Sequence, residues 1–163
     1  MGRAELLILL GAIVIYGTFT LSVNESSFEN EMNMLQSQFE LTAIAIANSY
    51  FEEARARNFD EASVSTYPTT LPDDFTAPGS LGAETGENYP NFDDIDDYDD
   101  YTTTSTAPNG FDYTITVEIG YVTDSDVTTF SGTRTFHKRM NVTISSQYLS
   151  DDITLSRLFS FVG

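Results

Sequence analysis

Apolar residues fall into three regimes along the chain, and each regime predicts a different element. From Leu6 to Val23 the stretch LLILLGAIVIYGTFTLSV carries no charge over eighteen residues. At 1.5 Å per residue, a helix of about 18–20 apolar residues matches a ~30 Å hydrocarbon layer. The run is longer than the usual ~7–15-residue core of a secretory signal, and no small-x-small cleavage site closes it. It therefore predicts a membrane-spanning helix that is retained. Arg3 is the one basic side chain before the run, and Glu25, Glu29 and Glu31 follow it. That sparse bias orients the N-terminus to the cytoplasm and the bulk of the chain outside.

Past Val23 the pattern turns amphipathic. Phe28, Met32, Leu35, Phe39, Thr42 and Ile46 are spaced 4, 3, 4, 3 and 4, a heptad-like stripe. Glu29, Glu31, Asn33, Gln36, Gln38 and Glu40 lie between them. AIAIANSYFEEARAR then supplies strong helix formers, with Arg55 and Arg57 suited to a helix C-terminus. The pattern predicts one helix over about residues 2–60, membrane-like in 1–24 and amphipathic in 25–60. Phe28, Met32, Leu35, Phe39 and Ile46 are its expected packing face against a head. Gly17, Thr18 and Thr20 mark its weak point, because glycine and β-branched residues lower helix propensity.

Residues 61–110 read as loop, with Pro68, Pro72, Pro78, Pro90 and Pro108 as turn punctuation. Within them FDDIDDYDDY sets Phe92, Ile95, Tyr98 and Tyr101 at a period of three among paired aspartates. From residue 111 the period falls to two. Tyr113, Ile115, Val117, Ile119 and Tyr121 share one strand face. Phe136, Met140, Val142 and Ile144 share a second, and Ile153, Leu155, Arg157, Phe159 and Phe161 a third. TDSD and SGT between them read as hairpin turns. The predicted fold class is α+β, a long N-terminal helix packed on a small antiparallel sheet over 111–163.

Charge and composition narrow the functions. An apolar fraction of 40% supports a core, and a net charge of −18 argues against nucleic acid and anionic lipid as ligands. Without cysteine there is no disulfide and no thiol nucleophile. His137 is the single histidine, expected at the surface, and no nucleophile elbow or phosphate loop is present. The expectation is a protein that is not an enzyme and needs no cofactor.

MGRAELLILLGAIVIYG, with an acid at the fifth position of an apolar helix that runs on toward a β head, resembles a mature bacterial type IV pilin. The resemblance implies a prepilin peptidase that exposes Met1, methylation of its amine, inner-membrane anchoring, and assembly into a helical homopolymer by pilus machinery. It implies that Glu5 pairs with the N-terminal amine of its own or a neighbouring subunit. Leu6, Leu7, Leu10, Ile13, Ile15, Tyr16 and Phe19 would then pack in the filament core. Arg3 departs from the family's uncharged residue and competes for the carboxylate. Ser22 stands where many relatives carry proline, so helix loosening on assembly falls to Gly17, Thr18 and Thr20. The alternatives are a minor pilin or secretion pseudopilin, and a monomeric single-pass protein with an acidic ligand- or calcium-binding head.

Three smaller features carry chemistry. Asp93, Asp94, Asp96 and Asp97 offer hard oxygen ligands for calcium, without EF-hand spacing; the competing expectation is a solvated acidic loop pinned by its aromatics. Asn24 and Asn141 head Asn-x-Ser/Thr sequons, and Thr102 and Thr103 offer hydroxyls for O-linked sugar. The helix aromatics from Tyr16 to Phe59 read as packing rather than an electron-conducting stack.

Overall fold

The computed structural model describes residues 2–64 and 68–162. It is an α+β chain. Helix α1 spans Arg3–Arg55, and four strands follow: β1 Thr102–Thr106, β2 Asp112–Tyr121, β3 His137–Ser145 and β4 Ile153–Ser160. The strands form one antiparallel sheet in the order β1-β2-β3-β4, a meander in which each strand pairs with its sequence neighbour. By contacts the chain divides into two compact units, residues 1–39 and 40–163.

The first unit is helix alone. Its apolar side chains are exposed, and no described residue before Ala43 is buried. Among the described residues, α1 is the one helix long and apolar enough to cross a membrane. Gly17, Thr18 and Thr20 are helical here, as the rest of the run is. The two threonine hydroxyls bond back to the Ile15 and Tyr16 carbonyls at 3.0 and 2.8 Å. Such back-bonding slightly weakens and bends helices.

In the second unit the end of α1 docks through small residues. Ala43, Ala47, Tyr50, Phe51 and Ala54 are buried in one cluster with Ile115, Val117, Met140, Val142 and Ile144. This corrects the expected packing face. Phe28, Met32 and Leu35 are 64%, 52% and 43% exposed, while Phe39 is only half-buried. Ile46 alone of that set packs against the core, from its flank. The docking stripe runs one residue, about 100°, away from the large-residue stripe. Three of the five buried positions are alanines, which a search for bulky apolar positions passes over.

The helix also ends earlier than residue 60. The Ala56 and Arg57 amides bond three residues back, to Glu53 and Ala54, tightening the last turn. Asn58 then leaves the helix for a parallel bridge with Asp94, through Asn58 N to Asp93 O and Ile95 N to Asn58 O.

The strand patterns hold for β2, where Tyr113, Ile115, Val117, Ile119 and Tyr121 are all buried. Met140, Val142 and Ile144 face the core as expected. Phe136 does not: it precedes β3, is 40% exposed, and meets the Phe75 ring edge-on at 6.1 Å. On β4, Ile153, Leu155, Arg157 and Phe159 are half-buried and alternate with exposed residues. TDSD does make a tight turn, in which Thr123 and Asp126 exchange backbone hydrogen bonds at 3.2 Å, but it and SGT both lie in the single connection from β2 to β3. Residues 102–106, expected as loop, form edge strand β1, paired from Thr102↔Thr116 to Thr106↔Asp112. Threonine favours strands, but this strand is mostly exposed and has no apolar alternation to announce it.

The two helix stripes predict opposite responses. Ala47→Leu should lower head stability by about 1–3 kcal/mol through overpacking. Leu35→Ala should change it by less than about 0.5 kcal/mol. Urea melts of the detergent-solubilised chain, followed by near-ultraviolet circular dichroism, would read both.

Candidate functional site

Two regions bring chemistry together, one in each unit. At the start of α1, Gly2 occupies the cap position and Glu5 the third helical position. The Gly2 amide donates to Glu5 Oε2 at 2.9 Å, while the Glu5 and Leu6 amides donate to the Gly2 carbonyl. A glutamate at this place reaches back to satisfy an otherwise unpaired amide, and its charge suits the positive helix end. Arg3 forms no ion pair with Glu5 among the described residues. Met1, the other expected member, lies outside the described residues. Leu6, Leu7, Leu10, Ile13, Ile15, Tyr16 and Phe19 are all exposed.

The second region is built around Lys138. This residue lies on β3 in phase with Met140, Val142 and Ile144, so the strand's alternation turns it inward, where it is fully buried. All three of its ammonium protons are used. They go to the Phe59 carbonyl at 2.8 Å, to Asp60 Oδ2 at 2.7 Å, and to Asp96 Oδ1. The ammonium also lies 4.6 Å from the Phe59 ring centre and 5.1 Å from that of Tyr121. Asp60 accepts further from the Ala62 and Thr76 amides, and the Tyr121 hydroxyl lies 2.9 Å from its Oδ2. Burial pushes the Asp60 carboxyl up, but Lys138 and these donors outweigh it and hold the group below its ordinary value. Asp96 moves the other way, raised to about 6 by burial despite Lys138, with the Asp60 charge adding to the rise. Asp60, Tyr121 and Lys138 come from distant parts of the sequence; only strand phase could have pointed to the lysine.

The acidic loop is not solvated. Asp94, Asp96 and Asp97 are fully buried, which overturns the expectation of a solvated loop. A single 3₁₀ turn, Asp96–Tyr98, lies within the run. Phe92, Ile95 and Tyr98 are buried. The Phe92 ring meets Tyr98 at 4.9 Å and Tyr101 at 5.4 Å, so the aromatics do pin the loop. The aspartates tie it internally. Asp97 Oδ2 accepts from the Asp93 and Asp94 amides, and Asp94 Oδ1 from those of Asp96 and Asp97. The other oxygens, Asp93 Oδ1, Asp94 Oδ2, Asp96 Oδ2 and Asp97 Oδ1, are buried without a hydrogen-bond partner. Burial, then the charges of Asp96 and Asp97, push the Asp94 carboxyl up to about 9.

The four aspartates expected to share a calcium ion are divided. Asp96 is committed to Lys138. Asp93 and Asp94 converge with Glu61, and Asp97 converges with Glu84 and Glu87, each trio with carboxylate oxygens within 4.8 Å of one another. The glutamates were missed because they stand 6 to 32 residues away from the aspartate run in sequence.

The remaining residues are dispersed. Asn24 is exposed on α1. Asn141 sits in β3, where its Oδ1 accepts from Ser156 at 2.7 Å. Thr102 is exposed and Thr103 half-buried on β1. His137 is more tied down than expected, 2.8 Å from Asp124 and 2.7 Å from Ser160. Tyr50, Phe51 and Phe59 belong to the head core, whereas Tyr16, Phe19 and Phe28 are exposed. No family model, no curated protein and no solved structure matches the chain.

The buried charges give two predictions. Lys138→Met leaves Asp60 and Asp96 without a counter-charge and should cost about 3–5 kcal/mol; adding Asp60→Asn and Asp96→Asn should recover most of it. Denaturant midpoints of the three proteins test this. Asp96 and Glu84, raised to about 6 and about 7, hold protons more tightly folded than unfolded. Stability from these groups is full below their unfolded values and is lost as pH rises through the folded ones. Asp60 acts oppositely, losing its contribution only as pH falls below about 4. In chelator, the head's Tm should therefore drop by roughly 5 °C or more from about pH 4.5 to about pH 7.5.

Proposed function

We propose that this chain is the structural subunit of a type IV pilus-like extracellular filament. The observation that carries the reading is the exposed apolar segment Leu6–Val23, opening on Glu5 in the first turn of α1. Leaving such side chains in water costs about 1.5–3 kcal/mol each, so the segment needs an apolar environment. The inner membrane provides one before assembly, and neighbouring subunits provide another afterwards. Transfer from lipid to protein gains little by burial alone, since lipid tails are as apolar as leucine. Directional terms must select the neighbour. A charge costs about 2.5–3.5 kcal/mol at mid-membrane on insertion scales and less near the edge. Glu5 would offset that cost when a neighbouring subunit's N-terminal amine meets it.

The remaining features fit that role. The Thr18 and Thr20 back-bonds near Gly17 give a helix segment that can loosen as subunits pack. The acidic head keeps filaments solvated and apart, against a net charge of −18 that assembly must overcome. The partners are other copies of the chain, a prepilin peptidase and pilus assembly machinery.

Glu5→Gln tests the reading. Membrane fractionation should show insertion unchanged, while electron micrographs of sheared surface fractions should lose filaments altogether. Filaments in equal number from the variant would refute the role of Glu5. A wild-type chain that makes no fibre would favour the single-pass monomer, and one found only at fibre tips a minor pilin.

A further inference from the structure

We propose that Glu84, Glu87 and Asp97 bind a calcium ion that closes the acidic loop of the head onto the segment before it. Carboxylate oxygens of the three residues lie within 4.8 Å of one another. Asp97 is 1% exposed, and its Oδ1 is buried without a partner; Glu87 Oε2 is in the same state. An unpartnered buried carboxylate oxygen is costly, and two that belong to one convergent trio define a place where positive charge is missing. None of the three residues makes an ion pair among the described residues. The buried cation of the head, Lys138, has all three protons committed elsewhere.

The surroundings suit a hydrated cation. An open cavity of about 210 Å³, lined by Glu87, Asp97, Asp99 and Asp100 among others, gives solvent access to two of the three residues. Glu84 is exposed and Glu87 half-buried, so an ion can reach the buried Asp97 oxygen from solvent. The donors are all hard oxygens on an irregular loop, which fits calcium's flexible 6–8-fold coordination better than the strict octahedron of magnesium. The neighbouring trio of Glu61, Asp93 and Asp94 differs in its surroundings, since none of its residues lines this cavity.

The test uses the full chain in detergent, with calcium chloride against EDTA at neutral pH, and reads the Tm of the head. Millimolar calcium should raise the wild-type Tm by roughly 3–8 °C. E84Q/E87Q should lose that response and, in EDTA, melt higher than wild type because repulsion around Asp97 is relieved. E61Q/D93N should keep the calcium response. An unchanged wild-type Tm, a full response in E84Q/E87Q, or a response abolished only in E61Q/D93N would each overturn the assignment. All arms are read on dispersed protein, so they stand or fall separately from filament assembly.

Discussion

The head is organised around one ammonium group. Lys138 sits with no solvent contact where three segments meet: the end of the helical region at Phe59 and Asp60, the acidic loop at Asp96, and strand β3 itself. A buried ion pair is seldom a net source of stability, since desolvating the charges offsets most of their attraction. Its effect here is positional. Each proton of the ammonium has one acceptor, so the three segments are tied together at a single point. The aromatic packing of Phe59, Phe75, Phe92 and Tyr98 fills the space that this arrangement defines. Between Phe59 and the start of β1 the described residues form no strand, so side-chain contacts carry more of the organisation there.

The same constraint explains the acidity of the loop. Asp60 and Asp96 are held by Lys138, while Asp94 and Asp97 fold the loop on itself by accepting amides. Each of these two carboxylates uses one oxygen for the backbone and leaves the other unpartnered. The loop thus concentrates more negative charge than the local fold requires, with two trios of converging carboxylates as the result. That surplus separates a structural acid cluster from one with capacity to bind.

Periodicity in the sequence was sufficient for the elements that bury large apolar residues. The face from Tyr113 to Tyr121 and the inward set from Met140 to Ile144 appear as buried faces, and Phe92, Ile95 and Tyr98 of FDDIDDYDDY are buried. It failed where burial is achieved by other residue types. Ala43, Ala47 and Ala54 dock the helix, yet alanine is equally at home on a surface. Strand β1 carries threonines with no apolar rhythm. Lys138 was in phase with its buried neighbours, but a lysine is almost never fully buried unless paired, and its pairs lie 42 and 78 residues away. Hydrophobic pattern is local information; charge pairing across such separations is not. The first turn of α1 was legible for a different reason, since an acid three places after a cap is itself a local signal.

The head has no cysteine, so the joints between its loops and its sheet are non-covalent, and one of them is ionic. A disulfide needs an oxidant to form and, once made, permits only the topology it has closed. The contact of one lysine with two aspartates forms without any electron acceptor, and re-forms each time it is opened. With no thiol to oxidise, the joint between loop and sheet is the same in reducing and oxidising surroundings.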